Sequence, residues 1–300
     1  MAKGAITPDG VSYIIATASV FFFATISIVL RFIARTVSRN VGIDDWVSLI
    51  SYILLAGVSI CHFLISGPYG YCFYISVVVP KRTNPMAKIL YADNICYGCC
   101  TAAVKMSILL LYRRIFVTRV FKIVTAVLAG MLIVWWICIM LFQIFSCTPV
   151  GAYWILENAE YCLDLITLYN SLAISNIIWD FTLLLLPLPM VWRLNMMNRR
   201  KLQLCGVFLV GIFICICSIM RVITLGQLEE TGLTQPTWWV GVWTIIECGV
   251  GVSCSCMPPL VHMFKEWHRK ATEAYCDAVK VLSRVTNFSK SATNVESQVY

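Results

Sequence analysis

ITLYNSLAISNIIWDFTLLLLPLPMVWR, residues 166–193, is long enough to cross a bilayer as a helix, for which about 20 residues suffice. It nevertheless carries Asn170, Asn176 and Asp180 in its middle, and it stops at Pro187 and Pro189. Asn176 and Asp180 stand four apart and so share one helix face. An ionisable group at that depth costs about 2.5–3.5 kcal/mol and is turned into a bundle interior beside a partner. The stretch therefore predicts further membrane helices packed around it.

The whole chain agrees. Its residues are 60% apolar and 13% charged, and its mean hydropathy is +0.81, which excludes an ordinary soluble domain. A formal charge of +8 invites a nucleic-acid reading. In a membrane chain, however, the placement of charge matters more than its sum, and no nucleic-acid partner is expected. Most of the 15 Cys lie within apolar runs, where Cys acts as a small hydrophobe. The lone CxxC, Cys96 to Cys99, has no second pair or nearby His to complete a zinc pattern, so it reads as packing and no metal is expected. No internal repeat suggests a transporter of duplicated halves.

Seven charge-poor runs can be marked out: 11–30, 46–65, 87–112, 123–145, the fifth around residues 166–189, 202–224 and 239–263. Of the 23 Lys and Arg, 17 fall in the segments that share a side with the loop after the first run. Only Lys3, Lys81, Arg82 and Lys88 fall on the other side, and Lys105 and Arg221 lie in the spans. This positive-inside bias places the N-terminus outside and the tail inside. The expected fold is an all-α membrane protein, a seven-transmembrane helix bundle. Its parts are an extracellular residue 1–10 segment, a membrane domain over 11–263 and a cytoplasmic tail over 264–300. Phe264, Trp267, Ala271, Tyr275, Ala278 and Leu282 recur at three- and four-residue steps, predicting an amphipathic helix on the inner membrane surface. Asp44 and Asp45 open the second run, where they suit the cap and positive dipole end of a helix.

Five ionisable groups lie well inside the spans: Asp93, Lys105, Asp180, Arg221 and Glu247. Depth along the helices, at about 1.5 Å per residue, sorts them into two tiers. Lys105 and Asp180, with Asn176, form an inner polar lock. Asp93, Arg221 and Glu247, with Tyr97, form an outer group that would contact a ligand. Were the protein an enzyme, Asp93, Asp180 or Glu247 would be its general acid. The fourth run has nothing costlier than Thr125 and Gln143 and reads as lipid-facing or structural. Cys147 and Cys162 share an outer loop on the oxidising side, and are expected to pair with each other or with Cys96; Cys72 is a further candidate. No Lys lies in the seventh run, so a retinal Schiff base is not available there and no cofactor is expected.

Several stretches taken together resemble the fungal rhodopsin-like seven-helix membrane proteins, also described as pathogenesis-related receptor-like (GPCR-like) proteins. They are Arg35 with Gly42-Ile43-Asp44-Asp45-Trp46, Lys105 to Tyr112 running into Arg114-Ile115-Phe116, and Cys147-Thr148-Pro149 with Tyr153-Trp154 and Cys162. Asn176, Asp180, Leu184 to Pro189, Arg221, Glu247 and Pro258 follow in family order. The resemblance implies an integral membrane protein of the plasma membrane, sensing an external small molecule and meeting a cytoplasmic signalling partner. It also implies an alternative, a cyclase, isomerase or accessory protein of a secondary-metabolite pathway. The third run ends in Tyr112-Arg113-Arg114 and the seventh in Cys256-Met257-Pro258-Pro259-Leu260, which lack the residues usually cited for G-protein coupling.

Overall fold

The computed structural model describes residues 8–37, 42–66, 83–116, 118–154, 162–189, 198–231 and 239–257, with single positions at 269, 272, 273, 275 and 280. The seven apolar runs become seven helices among these residues. They are α1 Pro8–Val37, α2 Ile43–Ser66, α3 Thr83–Ile115, α4 Arg119–Ile144, α5 Leu165–Leu185, α6 Asn198–Thr231 and α7 Trp239–Met257. Each holds a membrane-compatible segment of 19 to 29 residues. Helices of that length satisfy their own backbone groups, which hydrocarbon cannot do for them. Pro8 opens α1, where a missing N–H costs nothing. Pro258 and Pro259 follow the last described residue of α7.

Burial separates the helices into two kinds. The apolar windows of α3 and α7 are 61% buried, against 22% for α1, α4 and α5, so α3 and α7 form the centre. Side chains such as Phe22, Phe23, Val134 and Phe142 point outward and are exposed, as lipid-facing residues are. The main core joins Ala24, Leu55, Val104, Ile108, Ile245 and Val252. Close approach to α7 depends on two glycines. A Cβ on Gly249 would lie 2.1 Å from Val20 Cγ1, and one on Gly251 would lie 2.8 Å from Val104 Cγ1. Small residues at such contacts let membrane helices pack backbone to backbone.

Up-and-down order brings the ends of α2, α4 and α6 to the same end of the bundle as the starts of α3, α5 and α7. That end carries the Cys147–Cys162 disulfide; Cys96 is a free thiol, and Cys72 lies outside the described residues. Leu163 N–H donates to the Ser146 carbonyl at 2.9 Å beside it. The bridge closes a loop of 15 residues, a length for which restricting the unfolded chain is worth about 3 kcal/mol. Thermal unfolding in detergent with and without reductant should show that loss, and Cys162→Ser should reproduce it under oxidising conditions. The opposite end carries Asp44 and Asp45.

Several helices run beyond the apolar runs expected of them. The helix α1 runs on from Leu30 to Val37, because Arg31 and Arg35 find carboxylates in α2 rather than solvent. The chain divides into units Met1–Met257 and Pro258–Tyr300, the division falling at the two prolines. The surface helix expected over 264–282 lies mostly outside the described residues. The five described there are helical, and Arg269 faces Glu273 at 3.9 Å.

Candidate functional site

A charged network crosses the middle of the bundle. Lys105 of α3 donates to Asp180 Oδ1 of α5, and Ser218 of α6 donates to Asp180 Oδ2 at 2.8 Å. Asn176, one turn before Asp180, donates to it at 3.4 Å and to Glu247 Oε1 of α7 at 2.7 Å. Tyr97 of α3 donates its hydroxyl to both oxygens of Glu247 at 3.1 Å. Arg221 of α6 places Nε 3.5 Å from Glu247 Oε2 and lays its guanidinium over the Tyr97 ring at 4.6 Å. All seven side chains are buried. Two cations face two carboxylates, so the network is neutral. Four helices meet in it.

The two tiers expected from depth are therefore one assembly, joined by Asn176. Its amide reaches Asp180 on its own helix and Glu247 on α7, the second of which helix spacing within α5 could not reveal. Asp93 is not in direct contact with the charged members of its expected group. Its Oδ2 lies 3.5 Å from His62 Nε2 of α2, not beside Arg221 or Glu247. Tyr13 of α1 stacks on the His62 ring at 5.3 Å. Sequence reasoning passed over His62, although a histidine inside an apolar run is itself an intramembrane ionisable group.

Above this network, toward the disulfide, lies a cavity of about 370 Å³. His62, Asp93, Tyr97, Asn176 and Arg221 line it, with Tyr13, Trp135, Gln143, Tyr153 and Tyr169 among its walls. Its volume is that of a small-molecule site. Tyr153 and Tyr169 join hydroxyls at 2.9 Å, and burial pushes the Tyr153 phenol up, so it faces the cavity uncharged. The helix α4, expected to be lipid-facing or structural, supplies Trp135, Ile139 and Gln143. Below the network, Lys105, Asp180 and Glu247 line a smaller cavity of about 50 Å³; Thr101 borders both.

Buried polar atoms without a protein hydrogen bond gather at the larger cavity. They include His62 Nδ1, Asp93 Oδ1, Trp135 Nε1, Gln143 Oε1, Asn176 Oδ1 and Arg221 Nε. Folded proteins pair nearly all such atoms, so six around one cavity mark a surface built for a polar occupant.

A second charged cluster sits at the opposite end. Arg31, 0% exposed, donates to Asp44 and Asp45 at 2.8 Å and to the Ser255 carbonyl near the end of α7. Arg35 reaches the same carboxylates at 3.0 and 3.1 Å, and Arg114 of α3 reaches Asp44 at 2.8 Å. Asp45 Oδ2 also accepts the Gly42 N–H at 2.8 Å, three positions back, as in a capping box. The pair is thus more than the helix cap expected of it. It ties α1, α2, α3 and α7 together.

Similarity to known proteins covers the region that holds both clusters. The family described as Fungal rhodopsin domain matches residues 30–266. A SAT4 family membrane protein of Emericella nidulans is 31% identical over 200 residues, covering 65% of this chain and 50% of the relative. The chain thus spans half the length of that relative. Polyenoic acids biosynthesis gene cluster protein Ba17b of Metarhizium anisopliae is 28% identical, covering 77% of this chain and 68% of its own. Receptor GIN3 of Arthrobotrys oligospora is 22% identical, covering 84% and 62%. No solved structure matches. With a match running from the end of α1 past Pro258, and through both charged clusters, this seven-helix multi-pass membrane protein belongs to the fungal rhodopsin domain family.

Proposed function

We propose that the protein is a receptor-like sensor of an extracellular small molecule at the plasma membrane. The observation that carries this reading is the 370 Å³ cavity at the disulfide end, whose floor is the four-helix charged network. The positive-inside charge bias supports an outward orientation of that end, on the oxidising side where a disulfide persists. An occupant touching Asn176 or Arg221 touches the network that fixes α3, α5, α6 and α7. It shifts the helices only by binding two arrangements of that network unequally. The relative named Receptor GIN3 supports the reading. The basic inner edge and tail would meet anionic lipid and a cytoplasmic signalling partner.

Hydrogen exchange on the full chain in nanodiscs tests this. A compound that stabilises the protein should change amide exchange near Asp44, Arg114 and Ser255, at the far end of the bundle. Stabilisation with no change there would remove the sensing role.

A second reading is a membrane-embedded cyclase or isomerase, or an accessory protein of secondary metabolism. Relatives named for polyenoic acid, wortmanamide and satratoxin biosynthesis clusters favour it. Among the three candidate acids, Asp180 and Glu247 are engaged in the network, and Asp93 keeps a free oxygen beside His62. Asp93 is the acid for that chemistry. A deletion strain and an Asp93→Asn strain that both lose one product and accumulate its precursor would establish the enzyme instead of the receptor.

A further inference from the structure

The ligand's charge can be read from the cavity. Among the described residues that line it, His62, Asp93 and Arg221 are the groups able to carry charge near neutral pH. Arg221 is matched by Glu247 beneath it, and the adjoining Lys105 is matched by Asp180. Lys88, five residues before Asp93, lies against the Trp154 ring, 5.6 Å from its centroid. That leaves Asp93 facing the His62 imidazole at 3.5 Å, with no further fixed cation among the described lining residues to match it. Asp93 Oδ1 and His62 Nδ1 have no protein hydrogen-bond partner and border the cavity.

The free atoms have the same bias. Asp93 Oδ1, Gln143 Oε1 and Asn176 Oδ1 accept and Trp135 Nε1 donates, while Arg221 Nε donates but already faces Glu247. The orientation of Asn176 is fixed chemically, since both partners of its Nδ2 are carboxylates that only accept. Three acceptors against one free donor call for an occupant rich in N–H groups. Aromatic faces nearby favour a cation over a neutral donor. An anion directed at Arg221 would meet a guanidinium already facing Glu247 and lying over Tyr97.

We propose that the larger cavity takes an organic amine in its cationic form, its ammonium on Asp93 beside His62 and its apolar body against Tyr13, Trp135 and Tyr169. This rests on the sensing reading for the site's role but not for its chemistry. The test uses matched probes that share a skeleton and differ in charge. They are tryptamine, tryptophol and indoleacetate; phenethylamine, phenylethanol and phenylacetate; octylamine, octanol and octanoate. Each is titrated calorimetrically into the full chain in nanodiscs. At least one amine should bind at least tenfold more tightly than its alcohol and its acid, and Asp93→Asn should abolish that preference. The comparison within the unaltered protein stands even where the variant fails to fold. An acid or alcohol binding as well as its amine, or no amine binding by about millimolar concentration, overturns the assignment. An alcohol or acid that binds and still alters exchange near Asp44 preserves sensing while removing the amine. An amine that binds through Asp93 without altering exchange does the reverse.

Discussion

Lys105→Met should lower the unfolding free energy in mixed micelles by about 3–5 kcal/mol, the size expected when one partner of a buried ion pair is removed. Lys105 is 3% exposed and lies ten residues before the end of α3, about 15 Å along the helix. Met fills most of the same space, so the loss would come from charge and not from a cavity. Asp180 would keep the Ser218 hydroxyl and the Asn176 amide, but neither carries positive charge. The network would change from neutral to one net negative charge at its most buried point. Asp180→Asn leaves the opposite orphan, an ammonium, and should cost a similar amount. The double variant Lys105→Met with Asp180→Asn removes both charges and should recover about 2 kcal/mol or more relative to the sum of the singles. Additive losses would mean that the two groups do not act as a pair, and that the neutral network is not what holds α3 to α5.

Periodicity and hydropathy made the seven helices legible, because a lipid-spanning helix must be about 20 residues of apolar sequence whatever its neighbours. The same one-dimensional signal identified Lys105, Asp180, Arg221 and Glu247, since any charge within such a run is anomalous. It could not say which helix faces which. Depth alone grouped Asp93 with Arg221 and Glu247, whereas α2, through His62, provides the neighbour of Asp93. Gln143 and Trp135 were passed over for a related reason. A sparsely polar helix with most of its surface exposed looks lipid-facing, yet one narrow stripe of it lines the cavity. Arg31 shows the converse. As a residue just past an apolar run it reads as a flanking charge, but its side chain is fully buried because the carboxylates it needs lie 13 and 14 positions away in the next helix. Partners across a loop are invisible to helix spacing.

Asp45→Asn should be the most damaging change at the far end of the bundle, by about 3–5 kcal/mol, and it should be relieved by a second substitution. Three Arg face two Asp there, so the cluster already carries one net positive charge. Removing Asp45 raises that to two and leaves Asp44 alone to hold Arg31, Arg35 and Arg114. Arg31 suffers most, because its side chain is 0% exposed and it cannot turn toward water as Arg114, 30% exposed, can. The backbone cap is not the cause, since an Asn oxygen can still accept the Gly42 N–H. Arg35→Met, by contrast, leaves two cations on two carboxylates and should cost only about 1.5–3 kcal/mol, the worth of hydrogen bonds to a charged group. Adding Arg31→Met to Asp45→Asn takes away the orphaned guanidinium and restores a cluster of two Arg and one Asp. Some loss remains, because the Ser255 carbonyl near the end of α7 loses its donor. The double variant should therefore be more stable than Asp45→Asn alone, although each substitution is harmful by itself. Unfolding curves of the two singles and the double decide it. A double variant less stable than either single would show that Arg31 holds α1 to α7 through Ser255 independently of the acidic pair.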